Sequence, residues 1–147
     1  MVNKDVFWKK AESLEKHLSL IRSRNRISLE EFLSDDIQQD ALLFQLQLAI
    51  QTCIDVAAHI VSDEGLGAPG SSSEIFYLLM DADIIDMRMA ERMIGAVGFR
   101  NLIAHEYGRL DMKIAYKAVT EDFLDLGRFI YAIARHFGFA MDEEPNG

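Results

Sequence analysis

The sequence predicts an all-α fold, an up-and-down bundle of four to five helices, on three observations. Apolar residues recur every three or four positions over long stretches, strand-like alternation is scarce, and only Pro69 and Pro145 interrupt the chain. At 147 residues, half of them hydrophobic, the chain fits one domain around one core. We place that domain at residues 1–140 and read 141–147, acidic and proline-bearing, as a frayed tail.

In the first helix, Val6 to about Ile21, the residues Phe7, Ala11, Leu14, Leu18 and Ile21 form one apolar stripe. It ends in Arg22-Ser23-Arg24-Asn25-Arg26. Those arginines read either as a solvated helix end favoured by the helix dipole or as a phosphate or partner contact. Ser28-Leu29-Glu30-Glu31 has the Ser-x-x-Glu form of a capping box and opens a short helical turn through Phe32-Leu33. Ser34 or Asp35 can cap the next segment.

That segment, Ala41 to Val61, is the most apolar of the chain. Gln45, Gln47, Gln51, Thr52, Asp55 and His59 make it a poor membrane span. On a helical wheel of about 100° per residue, Gln45, Gln51, Thr52, Asp55 and His59 share a sector of roughly 120°. A helix apolar over the rest of its circumference needs burial on several sides, so part of it is expected to pack against a second copy of the chain. Asp55 and His59, four apart, can pair on the polar stripe; His59 reads as a partly buried, paired histidine or as a support beside an active site.

Ser62 to Ser73 is the clear linker, with three glycines and a proline. It lacks the lysine and spacing of a nucleotide-binding loop. Ser71-x-x-Glu74 is a second capping box, opening a helix through Ile75, Phe76, Leu78, Leu79 and Met80. Asp81-Ala82-Asp83-Ile84-Ile85-Asp86 lacks the glycine and glutamate of a calcium loop, so Asp83 or Asp86 is read as the cap of the next helix. Met87, Met89, Met93, Ile94 and Val97 line that helix. Asp111 can cap a last helix carrying Ile114, Ala118, Phe123, Leu126, Ile130, Ile133 and Phe137.

The formal charge of −9 argues against a broad basic surface, so a nucleic-acid site would have to be a local patch. Arg88, Arg92, Arg109 and Lys113 can supply one, or can be solvated helix residues. Cys53 is the only cysteine, which excludes an internal disulfide and a cysteine-built zinc site; in its apolar surroundings it reads as a buried side chain. No secretory signal is visible and the chain reads as cytoplasmic, with no membrane association.

The chemistry concentrates in Gly98-Phe99-Arg100-Asn101-Leu102-Ile103-Ala104-His105-Glu106-Tyr107-Gly108. On a regular helix Arg100 and His105 diverge by roughly 140°. They could share a small pocket only if the helix breaks near Ala104 or the pocket is shared between chains, and Gly108 is where a helix could stop. An arginine and a histidine suffice for phosphodiester cleavage with the RNA's own 2′-hydroxyl as nucleophile. The imidazole moves a proton near neutral pH and the guanidinium holds the phosphate. No metal or cofactor is required, and the motif has no clustered metal ligands. The structural alternative is an arginine capping carbonyls beside a histidine bonded to a neighbour.

Arg100 through Tyr107 resembles the Arg-x-x-x-x-His-x-Tyr signature of the HepT-like toxins of the HEPN superfamily. The resemblance implies a HEPN-like helical homodimer that cuts RNA, mRNA or tRNA rather than DNA, without metal. Arg100 and His105 would be catalytic and Asn101 would position substrate. It further implies a type VII-like toxin–antitoxin pair, in which a minimal nucleotidyltransferase of MntA type transfers AMP to Tyr107. Two other readings are a non-catalytic HEPN-like subunit that binds a nucleotidyltransferase or a nucleotide, and a plain helical dimerisation module.

Overall fold

Each helix begins where a short polar side chain accepts hydrogen bonds from the free backbone N–H groups of a first turn. In the computed structural model, which describes residues 2–139, Asn3 accepts from the Asp5 and Val6 amides and opens α1, Lys4–Arg24. Ser28 accepts from Glu31 N and opens α2, Leu29–Leu33. Of the two expected caps for the long helix, Asp35 serves, accepting from Ile37 N and Gln38 N at the start of α3, Asp36–Asp63. Ser71 caps α4, Ser72–Asp81, and Asp86, not Asp83, caps α5, Met87–His105. Asp111 caps α6, Met112–Lys117. The last helix, α7, spans Leu124–Phe137 and ends on Gly138, whose φ of 70° is the left-handed conformation glycine adopts freely. The tail expected at 141–147 lies outside the described residues.

The result is an all-α bundle built on α3, which packs against α1, α4, α5 and α7. No strand occurs among the described residues. α3 is long and apolar enough to cross a membrane, yet more than half of its most apolar window is buried inside the fold. Its polar stripe does not face solvent as a unit. Gln45 Oε1 meets His17 Nδ1 at 2.9 Å and Asp55 accepts from Lys10 Nζ at 3.3 Å, so the stripe is stitched to α1.

Two expectations need correction here. His59 does not pair with Asp55: its Nε2 lies 3.3 Å from Asp63, one turn further on. Asp55 is held by Lys10 and by Gln51, whose amide donates at 2.9 Å. The closing helix is also not one regular α-helix. Between α6 and α7 the chain makes a π-turn over Ala118–Asp122, and Phe123 N donates to Ala118 O at 2.9 Å. The turn is tied down across the fold, since Asn25 Nδ2 donates to Val119 O at 2.9 Å and Tyr116 Oη to Ile27 O at 2.6 Å.

The core is aromatic at its centre. Phe76 of α4 and Phe129 of α7 are fully buried and meet edge to face, ring centroids 5.5 Å apart. Replacing Phe129 by alanine removes that contact and leaves a cavity, and is expected to cost about 3–5 kcal/mol. Domains of this kind have about 5–15 kcal/mol in total. A urea midpoint left unchanged in the variant would show that the cavity collapses without cost. Cys53 is fully buried as expected, and burial followed by the nearby Asp55 charge pushes its thiol pKa up, so it stays protonated.

Candidate functional site

α5 delivers the motif to one end of the bundle. Ala90, Met93 and Val97 recur three and four apart, are buried, and fix which way the helix faces, while Ile103 anchors its last turn. The helix runs unbroken through His105. Glu106, at φ −139° and ψ 40°, leaves it, with its amide still bonded to Leu102 O at 2.9 Å. A 3₁₀ turn, Tyr107–Arg109, follows. Gly108 does not stop the helix: it lies inside that turn without a positive φ.

Because the break comes after His105, Arg100 and His105 of one chain point away from each other by roughly 140°. Asn101 and His105, four apart, share a face and are both exposed; Arg100 is half-buried. Neither catalytic candidate is committed to the fold. Among the described residues no side-chain hydrogen bond or ion pair involves His105, and the Nε of Arg100 is buried without a partner. A structural arginine capping carbonyls, or a histidine bonded to a neighbour, would not leave these groups unpaired.

Tyr107 is held differently. Its Oη donates to Asp40 Oδ1 on α3 at 2.5 Å, a contact across 67 residues. Burial raises the pKa of the phenol, the bond to Asp40 raises it further, and the charges of Asp40 and Asp36 add to both. The phenol is therefore protonated well beyond neutral pH. Asp40 and Asp36 escaped the sequence reading because nothing in a linear spacing links the first turns of α3 to the end of α5. The acidic run Asp35-Asp36 with Asp40 one turn later was the available hint.

Of the four cations that could have supplied a local basic patch, two are paired with acids. Arg92 binds Asp125 at 2.9 Å, an acid also held by Arg128 at 3.2 Å, and Arg109 lies 3.6 Å from Glu106. Arg88 and Lys113 have no ion pair among the described residues. Of the arginines at and just past the end of α1, Arg22 pairs with Glu15, while Arg24 and Arg26 line a polar groove with Gln38. Beside the motif, an apolar groove of about 320 Å³ opens between α3, α5 and the π-turn, lined by Leu46, Ile50, Phe99, Ile114, Phe123 and Leu126. No group of three or more His, Cys, Asp or Glu side chains is placed to hold a metal ion among the described residues.

Comparison with known proteins gives a consistent picture. A family model described as "Ribonuclease HepT-like" matches residues 14–133. The mRNA nuclease HepT of Shewanella oneidensis is 33% identical over 103 residues, 70% of this chain and 77% of that protein. The tRNA nuclease HepT of Aphanizomenon flos-aquae is 29% identical over 109 residues, 74% of each. The fold resembles the solved structure of a tri-AMPylated Shewanella oneidensis HEPN toxin in complex with an MNT antitoxin. There the TM-score is 0.84 at 28% identity, over 90% of this chain and 99% of that one.

Proposed function

Since the chain belongs to the HepT-like ribonuclease family, we propose that it is an endoribonuclease toxin that cuts RNA in a cleft between two copies of itself. Arg100 and His105 are its catalytic pair, Asn101 positions the substrate, and Tyr107 accepts AMP from a minimal nucleotidyltransferase antitoxin. One observation carries the reading: Arg100 and His105 sit at the end of a continuous helix, the Arg100 Nε and the His105 ring without partners among the described residues, a pair of groups free to serve something outside the fold.

The chemistry follows from the two side chains. A base takes the proton of the 2′-hydroxyl while its oxygen attacks the adjacent phosphorus, and the 5′-oxygen leaves with a proton from an acid. His105 can serve on either side of that exchange, and the Arg100 guanidinium stabilises the charge that builds on the phosphate oxygens. Because Arg100 and His105 diverge on one helix, a pocket that uses both is completed by a second chain.

The surface of α3 supports such a pairing. Ile37, Ala41, Phe44 and Leu48 follow a four-three-four spacing, and Ile37 and Phe44 are 78% and 57% exposed. Such a seam is what a facing helix covers. AMP on Tyr107 places a phosphate and a nucleoside two residues from His105, opposing RNA by charge and by bulk. In this reading residues 1–140 act as one unit in the cytoplasm, without membrane or DNA.

The route needs no metal, which gives the test. Purified protein free of AMP is expected to cleave labelled mRNA and tRNA in excess EDTA without loss of rate, leaving 2′,3′-cyclic phosphate ends. Products with 5′-phosphate ends, formed only when a divalent metal is restored, would replace this mechanism with a metal-dependent one.

A further inference from the structure

The reading of Tyr107 as an AMP acceptor leaves open what takes its proton, and the following step rests on that reading. A neutral phenol is a weak nucleophile toward phosphorus, and its oxygen must lose hydrogen as the new bond forms. Asp40 stands where that hydrogen goes. Its Oδ1 accepts the Tyr107 hydroxyl at 2.5 Å, at the start of α3, and the carboxylate is exposed, so a protonated Asp40 can return its proton to water.

The pairing is specific. Among the described residues, Tyr107 makes no other side-chain hydrogen bond, and the Asp40 side chain bonds to Tyr107 alone. Asp36, one turn earlier, acts on the phenol only through its charge. Together with burial, these carboxylates keep free phenolate scarce at neutral pH, so a route through a pre-formed phenolate is slow. Proton transfer concerted with attack remains, and it requires a base within hydrogen-bond reach.

We propose that Asp40 is a catalytic residue of the modification reaction, contributed by the toxin itself: it is the general base that deprotonates Tyr107 during AMP transfer. In the step, a lone pair of Tyr107 Oη forms a bond to the α-phosphorus of ATP as the Oη proton passes to Asp40 Oδ1. The bond from the α-phosphorus to the bridging oxygen breaks, and pyrophosphate leaves with the electron pair. Asp40 then releases its proton to solvent. The protein substrate thereby supplies part of the machinery for its own neutralisation, whatever groups of the nucleotidyltransferase hold ATP.

The test compares the wild type with Asp40→Asn, Asp40→Ala and Tyr107→Phe as substrates of the cognate nucleotidyltransferase. The rate of AMP incorporation from α-labelled ATP is followed, peptides are mapped across Tyr107, and thermal melting checks each fold. Asparagine retains the acceptor oxygen that positions the phenol but cannot take its proton. Asp40→Asn is therefore expected to be modified about 10²-fold more slowly at neutral pH. Its residual rate should rise about tenfold per pH unit, as the phenolate fraction does, while the wild-type rate stays nearly flat over that range.

An unchanged rate in Asp40→Asn, with Tyr107→Phe unlabelled, overturns the role of Asp40 and leaves Tyr107 as acceptor. Loss in Asp40→Ala but not in Asp40→Asn overturns it equally, reducing Asp40 to a positioning residue. Labelling of Tyr107→Phe at the wild-type rate, or no labelling of the wild type, overturns the acceptor reading and the base with it.

Discussion

Replacing His105 by alanine is expected to lower RNA cleavage by about 10²–10⁴-fold while leaving the fold intact, the range that a positioned general acid or base contributes. The two halves of that expectation have separate physical grounds. His105 is the last residue of α5, exposed and without a hydrogen-bond partner among the described residues, so its side chain holds nothing in place. Exposed substitutions of this kind change stability by roughly 0.5 kcal/mol or less. Initial cleavage rates set beside thermal melting curves test the pair. Full cleavage by the alanine variant would remove His105 from the chemistry, whereas no cleavage by the wild type itself would favour a non-catalytic subunit that binds a nucleotidyltransferase.

The fold was legible wherever a local rule decides. The α1 stripe Phe7, Ala11, Leu14, Leu18 and Ile21 is buried throughout, because a three-to-four spacing admits one inward face. Ser28, Asp35, Ser71, Asp86 and Asp111 each cap the helix they precede, because their oxygens answer a need of the backbone itself. Even the π-turn left a trace: in the final stripe Ala118 and Phe123 are five apart where the rest are three or four. Five is the reach of the π-turn's hydrogen bond, so a pattern read as one helix with a wide gap was recording an inserted residue. Ile114, before the insertion, is 58% exposed although the stripe counted it as inward.

Long-range pairing was not legible. His59 has an aspartate four residues away on either side, and helix geometry treats both alike. In the fold Lys10 on α1 holds Asp55, and His59 lies against Asp63. At the site, residue types made Arg100 and His105 a possible pair and the family resemblance added Tyr107, which lies in a turn just past the helix. Asp40 was invisible for the same reason as Lys10: its contact with Tyr107 is a product of how α3 and α5 pack.

Arg100 is expected to show the opposite signature from a structural arginine: substitution by methionine should sharply lower cleavage and stabilise the free protein. Its Nε is buried and makes no hydrogen bond among the described residues. A buried donor in that state has lost its water without replacement, at a cost of about 1–3 kcal/mol. An apolar chain of similar length fills the same space and removes the cost, so the melting temperature should rise. The same change deletes the group that meets the phosphate in the transition state. Loss of one such donor lowers turnover by about 10²–10³-fold. Lysine separates charge from geometry, because it keeps the positive charge but not the planar fork that contacts two phosphate oxygens at once. Arg100→Lys should therefore remain far below wild type in cleavage, and restoration of full activity by lysine would mean that charge alone suffices. A methionine variant that melts lower than wild type would make Arg100 a support of the fold, its unpaired Nε notwithstanding. A higher melting point with cleavage lost would identify it as a group whose partner comes from outside the chain.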